Sequence, residues 1–73
     1  MKITVEIING QTHEFEVDDN VTVKAVKAMI EEKDGIPAKS QWLLLHGQIM
    51  EDGKKLADYG IVDGSVFQAM FRL

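Results

Sequence analysis

Val23-Lys24-Ala25-Val26-Lys27-Ala28-Met29-Ile30-Glu31 decides the reading of this chain, because its apolar residues recur at a different period from those on either side. Val23, Val26 and Ile30 fall at i, i+3 and i+7, one stripe of an amphipathic helix, while Lys24, Lys27 and Glu31 line another face. Thr22 is placed to cap the helix N-terminus, and Asp18-Asp19 come just before it, where the helix dipole favours negative charge. Gly35 suits the left-handed residue that closes a helix, and Pro37 blocks its resumption. Met29 reads as core filling rather than as a binding residue.

Upstream of the helix the period is two. Met1, Ile3, Val5 and Ile7 alternate with Lys2, Thr4 and Glu6 over residues 1–7, the pattern of a half-buried strand. Asn9-Gly10 is a tight-turn signal, because both residues tolerate positive φ. A second alternating run follows, with Phe15 and Val17 on one face and Thr12, Glu14 and Glu16 on the other, so the two runs form a hairpin. His13 falls near the end of the apolar face and reads as a partly buried histidine with a satisfied ring nitrogen. Downstream, Gln41-Trp42-Leu43-Leu44-Leu45 is too short for a helix between Pro37 and Gly47 and reads as a strand. His46-Gly47 makes a turn into a very short strand at Gln48-Ile49. Residues 51–64 are turn-rich, with Leu56, Tyr59 and Ile61 anchoring them through a single helical turn. Residues 65–73 form the last strand, in which Phe67, Ala69 and Phe71 alternate with Val66, Gln68 and Met70. The order strand, strand, helix, strand, short strand, strand predicts an α+β fold: one domain over residues 1–73, a mixed sheet packed on one long helix.

Composition narrows the class of function. A chain of 73 residues is one domain at most, and domains this small often need a staple. With no cysteine there is neither a disulfide nor a thiolate metal site, so packing must hold the fold. The absence of cysteine fits a reducing compartment, and the expected location is the cytoplasm or nucleus. The net charge of −4 argues against nucleic acid and anionic membranes as partners. No apolar run approaches a membrane span, and Met1-Lys2-Ile3-Thr4 carries no signal-peptide pattern. Catalytic constellations are missing too. Ser40 and Ser65 lack a Ser-His-Asp context, His13 and His46 are isolated by spacing, and no Gly-rich phosphate loop occurs. Ser65 reads as a turn or strand-start residue, and the acidic pairs Asp18-Asp19, Glu31-Glu32 and Glu51-Asp52 read as solvated surface. The expectation is a monomeric non-enzyme without cofactors.

One helix covers one face of a sheet, which leaves the other to water or to a partner. If Leu43 and Leu45 face the helix, Trp42 and Leu44 face away. If Phe67, Ala69 and Phe71 face in, Val66 and Met70 face out. Ile8 is one step out of phase with Ile3, Val5 and Ile7. Ile8, Trp42, Leu44, Val66 and Met70 are thus left over, and strand order decides whether they meet in one patch or lie as scattered apolar residues on a solvated face. Trp and Met suit a recognition surface, the first for anchor energy and the second for adaptability.

Several segments together resemble the ubiquitin and ubiquitin-like family, without a gap from Met1 to Leu73. They are Met1-Lys2-Ile3-Thr4-Val5, Val26-Lys27-Ala28, Lys33-Asp34-Gly35-Ile36-Pro37, Gly47, Glu51-Asp52-Gly53, Leu56-Ala57-Asp58-Tyr59 and the ending Arg72-Leu73. The resemblance implies the β-grasp fold and a recognition patch on Ile8, Leu44 and Met70, with Gly47 in the turn beside it. Gln68 stands where ubiquitin has a central histidine, and Trp42 replaces a basic residue. Glu6, Gln11, Met29, Gln48 and Asp63 stand at lysine positions of ubiquitin, while Lys27 and Lys33 remain. The family's conjugating Gly-Gly ending lies beyond Arg72-Leu73, and this sequence stops before it. The implied function is a module, not conjugated as given, that docks ubiquitin-binding domains or proteasome receptors through Ile8, Trp42, Leu44, Gly47, Val66, Gln68 and Met70. The alternatives are a modifier whose Gly-Gly tail is missing from this sequence, and a structural domain that associates with itself through the same face.

Overall fold

The computed structural model describes residues 1–72. The strands are β1 (Lys2–Ile7), β2 (Thr12–Glu16), β3 (Gln41–Leu45), β4 (Gln48–Ile49) and β5 (Val66–Phe71), and the helix α1 spans Val23–Asp34. Two 3₁₀ turns, Ala38–Ser40 and Leu56–Tyr59, complete the element list. The sheet order is β2-β1-β5-β3-β4, with β1 and β5 parallel and the other pairs antiparallel. This is the mixed sheet on one helix that the β-grasp expectation describes. β5 lies at the centre, brought beside β1 by the long excursion through the helix. The last strand is shorter than the 65–73 expected: it begins at Val66, because Ser65 is held in the preceding turn, and ends at Phe71, before Arg72, while Leu73 lies outside the described residues.

Alternation decides the core. Ile3, Val5 and Ile7 of β1, Leu43 of β3, and Phe67 and Ala69 of β5 point to the helix and are buried. Val23, Val26 and Ile30 meet them from α1, and each such side chain removed from water contributes about 1.5–3 kcal/mol. Met29 packs at the core's edge, as its position predicts. Leu45 and Phe71 are only half-buried and pack at the margin of the core. Met50 is fully buried, a core residue that the turn-rich composition of its segment hides.

The helix N-terminus is satisfied mostly from a distance. Thr22 Oγ1 accepts from the Ala25 amide at 3.1 Å, the expected cap. The exposed N–H groups of Val23 and Lys24, however, donate to the carbonyls of Lys54 and Asp52 in the loop before β5, at 2.9 and 3.2 Å. Asp18 and Asp19 do not enter the first helical turn. Asp18 accepts from the Asn20 amide at 2.7 Å, and Asp19 faces the amino terminus at 3.5 Å. At the other end Gly35 adopts φ 74° and donates to the Glu31 carbonyl at 2.7 Å, the left-handed closure that only glycine adopts without penalty.

Lys27, which the sequence sets on a helix face apart from the apolar stripe, is nonetheless buried. Its ammonium donates to Asp52 Oδ1 at 2.6 Å. Gln41 is buried as well, its amide donating to the carbonyls of Lys27 and Ile36, each at 3.0 Å. His13 keeps its predicted role: Nε2 lies 2.8 and 3.0 Å from the two Asp34 oxygens, tying β2 to the end of α1. Leu56 and Ile61 are buried and Tyr59 partly so, with its hydroxyl accepting from the Glu51 amide at 2.8 Å. Ser65 plays the predicted turn role, its Oγ accepting from the Val62 amide at 2.9 Å.

Candidate protein-interaction face

Strand order answers the question that periodicity leaves open. Register places Thr12, Glu6, Gln68, Leu44 and Ile49 in one row across all five strands, from β2 to β4. Directly paired residues share a face, so this row lies on the side away from the helix. On this same face the Met70–Trp42 pair forms the row on one flank, and the Thr4–Val66 pair the row on the opposite flank. Ile8 continues β1, its amide donating to the Ala69 carbonyl at 3.0 Å. Ile8, Leu44, Gly47, Gln68 and Met70 thus converge, with Glu6, on one shallow groove of about 350 Å³.

Exposure grades the predicted residues. Ile8 and Met70 are 60% and 40% accessible, so the groove is bordered by apolar side chains that water does not prefer. Leu44 and Trp42 are half-buried. Trp42 borders the groove through Met70, and its ring lies under the Arg72 guanidinium, 5.6 Å from the centroid. Val66 is exposed but sits one row away and does not line the groove.

Gly47 shapes the rim by its backbone. His46 and Gly47 have φ values of 51° and 80° between paired Leu45 and Gln48, a two-residue turn with both central residues left-handed. No atom lies within 4 Å of a Cβ built at Gly47, so conformation rather than space favours glycine there.

Two members of this face escape the sequence reading. Ile49 pairs with Leu44 and is 58% accessible. A two-residue strand has no parity of its own, but the two-residue turn fixes the register: Leu45 opposite Gln48 puts Leu44 opposite Ile49. Glu6 reads from alternation only as a solvent-facing residue, yet it lines the groove and accepts from Gln68 Nε2 at 3.0 Å.

Among the described residues, no three His, Cys, Asp or Glu side chains gather as a metal site requires, and no helix is long and apolar enough to cross a membrane. What the face offers is apolar area with a few hydrogen-bonding groups, the composition of a protein-recognition surface.

Comparison with known proteins agrees with the fold. The ubiquitin family model matches residues 3–73. Large proline-rich protein bag6 of Xenopus tropicalis is 38% identical over 72 residues, covering 99% of this chain and 6% of that protein. Ubiquitin-like protein NEDD8 of Dictyostelium discoideum is 34% identical over 73 residues, covering 100% of this chain and 95% of that protein. Ubiquitin-like protein 4A of Callithrix jacchus is 34% identical over 61 residues, or 84% of this chain and 39% of that protein. The chain therefore matches one small module of some relatives and nearly the whole of another. With the strand order, the single helix and the match over residues 3–73 all in agreement, the chain belongs to the ubiquitin family.

Proposed function

We propose that this ubiquitin-like module docks ubiquitin-binding domains or proteasomal ubiquitin receptors through its open sheet face, without catalysis of its own, in the cytoplasm or nucleus. The observation that carries this reading is the convergence of Ile8, Leu44, Gly47, Gln68 and Met70 on one groove. Burying such a cluster of apolar side chains gives a partner most of its binding energy, and the polar rim gives it register. Trp42 beside Met70 enlarges the apolar area and removes a charge, which shifts preference towards partners that do not rely on a salt bridge there. Isothermal titration of a purified proteasomal ubiquitin receptor tests the reading. Leu44→Glu is expected to weaken binding about tenfold or more with the fold intact. Equal affinity of the wild type and the variant would remove the groove from the account.

A second reading draws on the likeness to NEDD8, which spans 95% of that protein. On this reading the chain is a modifier, with Gly-Gly following Leu73 in the full gene. Formation of a thioester between the extended chain and an activating enzyme would favour it over the docking module.

A further inference from the structure

The groove carries a single charged side chain, and its charge is negative. Of its lining residues, Glu6 alone is charged, and Gln68 gives its amide N–H to the Glu6 carboxylate at 3.0 Å. That bond leaves the second Glu6 oxygen, the Gln68 carbonyl oxygen and one Gln68 N–H without a partner among the described residues, and of these only the carboxylate is charged. The other carboxylates on this side of β1 and β2 are compensated: Glu14 by Lys2 at 3.5 Å, and Glu16 by the amino terminus at 3.0 Å. Glu6 has no cation within 4.0 Å among the described residues. Arg72 lies elsewhere, stacked on Trp42 of β3, two strands away from Glu6 on β1.

The position of the groove also limits the form of the occupant. Gln68 and Met70 belong to β5, the central strand, so an added strand at either edge of the sheet would not reach them. A ridge of apolar side chains from a helix fits a groove in the face of a sheet. A partner that covers this groove removes Glu6 from water, and a carboxylate brought there would face it unscreened, whereas a guanidinium or ammonium would satisfy it.

Building on the docking reading above, we propose that the occupant is an amphipathic helix carrying an arginine or lysine beside its apolar ridge, seated so that this cation meets Glu6 and the Gln68 carbonyl.

Two synthetic helices of about 15 residues, identical except for Arg or Glu at the position flanking the ridge, test the proposal by NMR titration of the labelled domain. The Arg helix is expected to bind about fivefold tighter than its Glu twin, and less so at high salt. Glu6→Gln is expected to erase that preference. Glu32→Gln, an exposed position on α1 with the same change in net charge, is expected to keep it. Equal binding of the twins, or tighter binding of the Glu helix, would overturn the charge assignment and leave the docking reading standing. A preference that survives Glu6→Gln would assign it to net charge and overturn the proposal. Absence of shifts at Ile8, Leu44 and Met70 with either helix would remove the docking reading itself. Shifts that follow the domain's own concentration, with no competition from either helix, would make a second copy the occupant and overturn the proposal.

Discussion

Lys27 and Asp52 join the helix to the loop that caps it: the buried ammonium of Lys27 donates to the Asp52 carboxylate at 2.6 Å, across 25 residues of sequence. The backbone carbonyl of the same Asp52 accepts the Lys24 amide at 3.2 Å, so one loop residue holds both a helical side chain and the helix terminus. The Lys27 stem replaces an apolar side chain in the packing, while its charge reaches the edge of the core.

Removing the carboxylate should therefore cost more than removing the ammonium, because Asp52 is left in water and Lys27 is not. Asp52→Ala leaves the ammonium without its partner and is expected to destabilise by about 1–2 kcal/mol, the lower part of the range because Asp52 is more than half exposed. Lys27→Met keeps the volume and is expected to cost less than about 1 kcal/mol. Urea unfolding of both variants checks the order, and a larger loss in Lys27→Met would contradict it.

Gln41 holds the chain after the helix. Its amide bridges the carbonyls of Lys27 and Ile36 from the start of β3. Gln41→Leu leaves the Ile36 carbonyl without that donor in a site water reaches poorly, and a loss of about 2 kcal/mol is expected in chemical denaturation. The substitution also removes the Gln41 side-chain carbonyl oxygen, which is buried without a partner, so a neutral result would mean that this relief offsets both lost bonds and would contradict the expected loss.

The contrast between these two residues and the strands shows what a sequence can reveal. Ile3, Val5 and Ile7 announce a strand, and Val23, Val26 and Ile30 a helix, because burial on one side imposes a period that local sequence must carry. Lys27 and Gln41 carry no such signal. Their burial depends on Asp52, and on a loop carbonyl, brought in by the chain path, and a lysine at a polar-face position looks the same whether its partner is water or a distant carboxylate. The candidate face is legible in part for the same reason. Parity separates Leu44 and Met70 from the core residues beside them. Only the order β1-β5-β3-β4 brings them beside Ile8 and sets Val66 a row apart. Ile49, on a strand of two residues, had no period to read.

Ile49 should behave as surface for stability and as interface for binding. Ile49→Ser is expected to change unfolding free energy by less than about 0.5 kcal/mol. It is also expected to weaken a partner seated on the groove by roughly threefold, through lost apolar contact beside Leu44. Calorimetric titration against a proteasomal ubiquitin receptor reads the second effect. An unchanged affinity would end the contact surface at Leu44.

The amino group of Met1 gives the 73-residue chain a pH dependence with a defined sign. Its hydrogen bond to Glu16 raises its pKa above the ordinary 8.0, with desolvation opposing and the charges of Glu16 and Asp19 adding. A base whose pKa is raised by folding contributes stability that is full below its unfolded value and lost as pH climbs through the folded one. The urea midpoint is therefore expected to fall as pH rises above 8.0, and Glu16→Gln to show a shallower decline over the same range. Parallel pH profiles for the two proteins would contradict the assignment.

Backbone amide shifts mapped during titration with a proteasomal ubiquitin receptor decide whether the open sheet face is a recognition surface. Perturbations are expected to cluster at Ile8, Trp42, Leu44, Gln68 and Met70, with Glu6 and Ile49 at the margin of the same footprint. Perturbations confined to the helix face, around Met29 and Glu32, or none at saturating receptor, would contradict that assignment.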